Sequence, residues 1–205
     1  MRLLCVSDIH GRLDALAAVL ATAERRSFNK LLVAGDIVFP GPHPLETWRR
    51  LAAAGAILVQ GVSDKALATL DPKDLHASTE HEKKMIERMQ AVRAELGDVI
   101  LTRLKRLPTH FRMPLEDGGE LLLVHGSPVD PADVVVCGMS HTPFEREVMG
   151  CRIVNVGSVG EAPDQRPGGG TVAHATWIES TPSGVLVEQI TVPLDAEPLR
   201  IAAFG

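Results

Sequence analysis

The chain has 205 residues, of which 45% are hydrophobic and 23% charged, with a formal net charge of -5. That length and balance suit one globular domain spanning residues 1–205 with a large core. The acidic balance supplies no broad positive field for a polyphosphate backbone, which excludes long nucleic acid as the expected partner, and no apolar run reaches membrane-spanning length.

Residues 2–7 read as a buried strand, followed abruptly by the polar Asp8-Ile9-His10. Leu13, Leu16, Ala17, Leu20 and Ala23 recur at helical spacing and predict a helix over 13–23 with one buried face. A second strand, 30–34, runs into Gly35-Asp36. The turn Gly41-Pro42-His43-Pro44 places a proline in the first turn of a helix over 45–54. A third strand, 56–60, is stopped by Gly61. Alternation of strand and helix predicts right-handed crossovers and a mainly parallel sheet, whose carboxyl strand ends collect binding residues.

Residues 74–96 are rich in helix formers, with Met85, Met89 and Val92 on one face, and predict a surface helix covering the sheet. Beyond Leu107-Pro108 come short strands at 120–124, 134–137, 152–156, 171–178 and 185–192, without intervening helices. They predict a second sheet with antiparallel pairs packed on the first. Gly168-Gly169-Gly170 reads as a hairpin connection, since no helix follows to make it a phosphate loop. The expected fold class is α/β, with two packed mixed β-sheets flanked by helices. Cys5, Cys137 and Cys151 lie in or beside apolar runs and lack CxxC spacing. Reduced thiols, and a first apolar run too short for a secretory leader, lead us to expect a cytoplasmic protein.

The chemistry gathers where strands end. Asp8-Ile9-His10, Gly35-Asp36, Gly61-Val62-Ser63-Asp64, His125-Gly126 and Gly138-Met139-Ser140-His141 each follow an apolar strand. Carboxylates piled at one sheet edge repel unless a cation sits among them, and a divalent metal supplies it. His43 and Asp64 stand near enough in sequence to be substitute donors, whereas His76, His81, His110 and His174 have no motif around them.

In that order the five segments resemble the calcineurin-like metallophosphoesterases, in particular the small bacterial and archaeal phosphodiesterases and diadenosine tetraphosphatase-like relatives. Gly41-Pro42-His43-Pro44 and Asn155-Val156-Gly157-Ser158-Val159-Gly160 also look like family segments. The family motifs D-x-H, G-D, G-N-H-D or G-N-C-D, G-H and G-H-x-H build two adjacent metal positions sharing one aspartate. The resemblance implies a first position held by Asp8, His10, Asp36 and His141, and a second held by Asp36 and His125. It implies departures too: Val62 stands where the family has an asparagine ligand, Met139 where it has a histidine, and Ser63 where it often has the leaving-group histidine.

Valine has no donor atom, and a thioether suits hard divalent ions poorly. The implied cofactor is therefore a divalent metal, Mn2+ foremost with Fe2+, Ni2+ or Zn2+ as alternatives, and one ion rather than two. Asp36 and His125 are the implied catalytic residues, an unmetallated His125 serving as proton donor or phosphate contact. The implied activity is a metal-dependent phosphoesterase acting on a phosphodiester or small nucleotide through a metal-activated water. The competing expectation is a weakly active or inactive fold kept as a protein-binding module, as in the retromer subunit that resembles these enzymes. An unrelated dinucleotide-binding fold lacks its Gly-x-Gly-x-x-Gly. No sequence signature decides the oligomeric state.

Overall fold

The computed structural model describes residues 1–127, 132–163 and 171–194. In chain order the elements are β1 Arg2–Val6, α1 Leu13–Glu24, β2 Lys30–Val33, α2 Pro44–Ala53, β3 Ile57–Leu58, α3 Val62–Thr69, α4 Glu80–Lys105, β4 His110–Pro114, β5 Glu120–Val124, β6 Val134–Cys137, β7 Phe144–Val148, β8 Cys151–Asn155, β9 Val172–Thr181 and β10 Gly184–Pro193. They build two five-stranded sheets, ordered β10-β9-β1-β2-β3 and β4-β5-β6-β8-β7.

Alternation along each strand sends side chains to two different layers. Leu3, Cys5 and Leu32 meet Leu121, Leu123, Val134, Val136 and Val154 between the sheets. Leu4, Val6, Leu31 and Val33 face the other way, onto Leu16, Val19 and Leu20 of α1 and Val92 of α4. Each fully buried leucine contributes roughly 1.5–3 kcal/mol through the apolar surface it removes from water. No helix among the described residues is long and apolar enough to cross a membrane.

The two-sheet architecture agrees with the sequence reading, with specific corrections. The strands expected over 171–178 and 185–192 do not join the second sheet. Instead β9 pairs antiparallel with β1, Leu4 opposite Trp177, and β10 pairs with β9. Strand β9 is buried along nearly its whole length because it feeds two layers, Trp177 to the helix side and Ile178 to the space between the sheets. Within the second sheet, β5–β6 and β6–β8 are parallel, and only the edge strands β4 and β7 pair antiparallel.

Strand β3 is shorter than expected, and after Gly61 a helix, α3, follows that the sequence reading did not include. The helix expected over 74–96 begins later, at Glu80, because Thr79 and Glu82 form a reciprocal cap, with Thr79 Oγ1 accepting from the Glu82 amide at 3.2 Å and Glu82 Oε2 from the Thr79 amide at 3.0 Å. The end expected at residue 96 is instead a kink at Gly97, with φ of 70°, beyond which the helix continues to Lys105. The Gly168–Gly170 connection lies outside the described residues.

Candidate metal centre

Strands β1, β2 and β3 are mutually parallel, as are β5, β6 and β8. Their carboxyl ends deliver Asp8, Asp36, Gly61, His125 and the 138–141 segment to one edge of the sandwich. The loops are laced together there. The Asp8 amide donates to the Gly35 carbonyl at 3.0 Å, the His10 amide to Asp36 at 3.0 Å and the Gly138 amide to His125 at 2.9 Å.

Two glycines permit the close approach. A Cβ on Gly61 would lie 2.1 Å from Asp36 Oδ1, and one on Gly138 would lie 1.9 Å from Ser7 Oγ and 2.5 Å from Asp8 Oδ2. No larger residue fits either place without moving a carboxylate. The segment 155–160, noted above for its family look, acts as a tie. Asn155 Nδ2 donates to the Gly138 carbonyl at 2.5 Å, while Ser158 Oγ donates to the Asp8 carbonyl at 2.8 Å.

Asp8, His10, Asp36 and His141 all have left-handed backbones, with φ of 51°, 51°, 53° and 58°, as does Met139 at 68°. Such conformations cost of order 1–3 kcal/mol each and persist where the surroundings impose them, which is characteristic of functional loops.

The expected four-residue first set divides in space. Asp8, His10 and His141 form one group whose ligand atoms all lie within 4.8 Å of one another, and Asp8, Asp36 and His125 form a second. Asp8 is common to both groups. In the first, Asp8 Oδ1 is 3.2 Å from His141 Nε2 and 3.9 Å from His10 Nε2, and the two Nε2 atoms are 3.3 Å apart. Donors bound about 2.1 Å from one ion, at tetrahedral to octahedral angles, lie roughly 3.0–3.4 Å from each other. In the second group, His125 Nε2 lies 3.5 Å from Asp36 Oδ2.

The residues present fit a divalent cation on an independent ground. Asp8 is fully buried, and its Oδ1 has no hydrogen-bond partner among the described residues, whereas its Oδ2 accepts from the Met139 amide at 2.9 Å. A buried orphan carboxylate oxygen facing two imidazole nitrogens is costly unless a cation compensates it. The imidazoles are turned to suit. His10 Nδ1 donates to the Phe39 carbonyl at 2.7 Å and His125 Nδ1 to the Ala34 carbonyl at 2.6 Å, which leaves both Nε2 lone pairs facing the centre.

Asp64 is not available as a substitute ligand. Fully buried, it accepts from the amides of Asp36, Ile37 and Gly61, each at 2.9 Å, and so joins the loops after β2 and β3. Burial pushes its carboxyl up to about 6, against the opposing pull of the Ile37 and Gly61 amides. Replacing Asp64 with alanine would strand three buried N–H groups at about 1–3 kcal/mol each. We expect a loss of at least about 3 kcal/mol in urea unfolding, and a loss below about 1 kcal/mol would disprove this tie. His43 is exposed, at the start of α2, and belongs to neither donor group.

Val62 and Met139 are 61% and 57% exposed, unusual for large apolar side chains beside a polar centre. They line one cavity of about 300 Å³ together with Lys65, His110, Val124 and His125. Ser63 contributes backbone instead, its amide donating to Asp36 Oδ1 at 2.8 Å. One nearby acid was missed by sequence reasoning: Glu161 Oε2 lies 3.8 Å from His10 Nε2 and 3.6 Å from His141 Nδ1. Its signal was position, immediately after the 155–160 segment.

These features accord with what the chain resembles. Residues 1–177 match the calcineurin-like phosphoesterase superfamily domain, and the chain belongs to that family. It is 32% identical over 115 residues to the symmetrical bis(5'-nucleosyl)-tetraphosphatase of Psychromonas ingrahamii, a match covering 53% of this chain and 39% of that protein. The chain thus aligns with about two-fifths of that relative's length. A hypothetical protein from Pyrococcus horikoshii OT3 shares the fold with a TM-score of 0.77 at 21% identity, over 95% of this chain and 89% of that one. A metallophosphoesterase from Sphaerobacter thermophilus does so with a TM-score of 0.69 at 23% identity, over 94% and 89% of the respective chains.

Proposed function

We propose that the protein is a metal-dependent phosphoesterase that hydrolyses a phosphodiester or a small nucleotide, with one divalent ion, Mn2+ foremost, held by Asp8, His10 and His141 beside Asp36. The observation that carries this reading is the buried Asp8 Oδ1, without a hydrogen-bond partner among the described residues and facing the Nε2 atoms of His10 and His141. When bound, such an ion lowers the pKa of a water and polarises a phosphoryl oxygen.

The chain's own residues do the rest. Asp36 Oδ2 and His125 Nε2 face each other beside the ion-binding group, where a phosphoryl group would be oriented. His125 keeps its Nδ1 proton on the Ala34 carbonyl, so its Nε2 can take a proton and return it to the leaving oxygen. The largely apolar cavity lined by Val62 and Met139 accepts the organic part of the ester, with Lys65 as a cation on its lining. Its volume suits a small ester and not a polymer.

The relative from Psychromonas ingrahamii is named for a nucleotide substrate, which agrees with the small-nucleotide reading. A cytoplasmic location belongs to the same proposal. Purified protein supplied with Mn2+ should hydrolyse bis-p-nitrophenyl phosphate. No turnover with Mn2+, Fe2+, Ni2+ or Zn2+ would defeat the proposal.

A second reading rests on the exposed Val62 and Met139, which would suit a partner-binding face. It requires a partner contact that survives chelation and is indifferent to Asp36.

A further inference from the structure

Three imidazoles face the centre, and two are anchored alike. Nδ1 of His10 and Nδ1 of His125 each meet a main-chain carbonyl, at 2.7 Å and 2.6 Å. Among the described residues, no main-chain carbonyl meets His141 Nδ1. The group beside its Nδ1 is the carboxylate of Glu161, whose Oε2 lies at 3.6 Å, an ion-pair distance, and also 3.8 Å from His10 Nε2. The Ser158 hydroxyl and a main-chain bond hold the backbone of Glu161 close to Asp8: the Glu161 amide donates to Ser158 Oγ at 2.8 Å, Ser158 Oγ donates to the Asp8 carbonyl at 2.8 Å, and the Gly160 amide donates to the same carbonyl at 2.9 Å. Arg12 senses the Glu161 charge, but its Nε and an Nη are occupied by Asp14, at 3.1 Å and 3.0 Å.

We infer that Glu161 is the positioning residue for His141: its carboxylate, closing from 3.6 Å to hydrogen-bond distance, accepts from the Nδ1–H and so favours the tautomer with Nε2 bare and turned toward Asp8 Oδ1 and His10 Nε2. The inference rests on the metal reading of that group of residues. A carboxylate behind a ligating imidazole both orients the ring and raises its basicity, and removing such a partner typically costs 10–100-fold in metal affinity. His141 needs the help most, being 28% exposed at the side chain against 7% for His10 and 6% for His125. Solvent competes for its ring where packing does not hold it.

The test uses the full-length chain and Mn2+ alone, with free ion followed by electron paramagnetic resonance. Glu161→Ala should weaken Mn2+ binding about 10–100-fold with the number of ions unchanged. Glu161→Gln should recover much of the loss, because its amide oxygen still accepts the Nδ1 proton. In metal-free protein, nitrogen-15 imidazole spectra should show the Nδ1–H tautomer of His141 more populated in wild type than in Glu161→Ala, against the pull of Asp8 Oδ1 on Nε2 at 3.2 Å. Wild-type affinity with an unchanged tautomer in Glu161→Ala overturns the inference. Equal weakening in both variants overturns it in favour of bulk charge or direct ligation. If wild type binds no divalent ion the metal reading fails, and the tautomer comparison still decides what Glu161 does.

Discussion

Asp36→Ala should lower kcat/KM for bis-p-nitrophenyl phosphate in the presence of Mn2+ by at least about 10²-fold, the scale on which losing one preorganised electrostatic group acts. Asp36 is 8% exposed, at the tip of β2. Its Oδ1 is held by the Ser63 amide at 2.8 Å, and its Oδ2 is left to face His125 Nε2 at 3.5 Å. Removal therefore takes out a fixed negative charge, not a mobile one. The structural cost is one orphaned amide at a half-buried place, about 1 kcal/mol, so the variant should still fold. Activity within threefold of wild type, with melting unchanged, would dismiss Asp36 from the chemistry.

The second large effect is a gain. Introducing Asn at 62 and His at 139 together should raise the ions bound per chain from about one to about two, counted by elemental analysis of protein purified without chelator. The argument is geometric. Val62 and Met139 line the same cavity as His125, and both are more than half exposed, so neither substitution opens a void or crowds the core. Exposed substitutions of this kind usually change stability by less than about 0.5 kcal/mol. Asp36 and His125 would then gain an amide oxygen and an imidazole, donors that valine and methionine do not offer to a hard ion. A count that stays at one would show that this side of the centre is not a vacated metal position. A wild-type count of two would show that a replacement donor already operates.

Much of this was legible in the sequence because apolar runs stop abruptly at acids and imidazoles. Asp8, Asp36, His125 and His141 all sit at the strand ends that reasoning assigned them. The partition of donors was not legible. Spacing along the chain cannot say that Asp8 belongs to both groups and that Asp36 sits with His125, because that depends on how two sheets face each other. Strands β4 and β7 went unread for a related reason: they are sheet edges, largely exposed, and show no continuous apolar run. Nor could residues 171–192 reveal that β9 would lie beside β1 rather than extend the second sheet, since a buried strand looks the same in either layer. Glu161 escaped because one acid in a loop carries no pattern until the fold brings an imidazole to it.

The donors Asp8 and His10 follow β1 of one sheet, whereas His141 follows β6 of the other. A cation gripped by these three acts as a rivet through both layers at their shared rim, and its binding energy counts toward holding the halves together as well as toward chemistry. Stripping such an ion would thus loosen the two sheets at this rim.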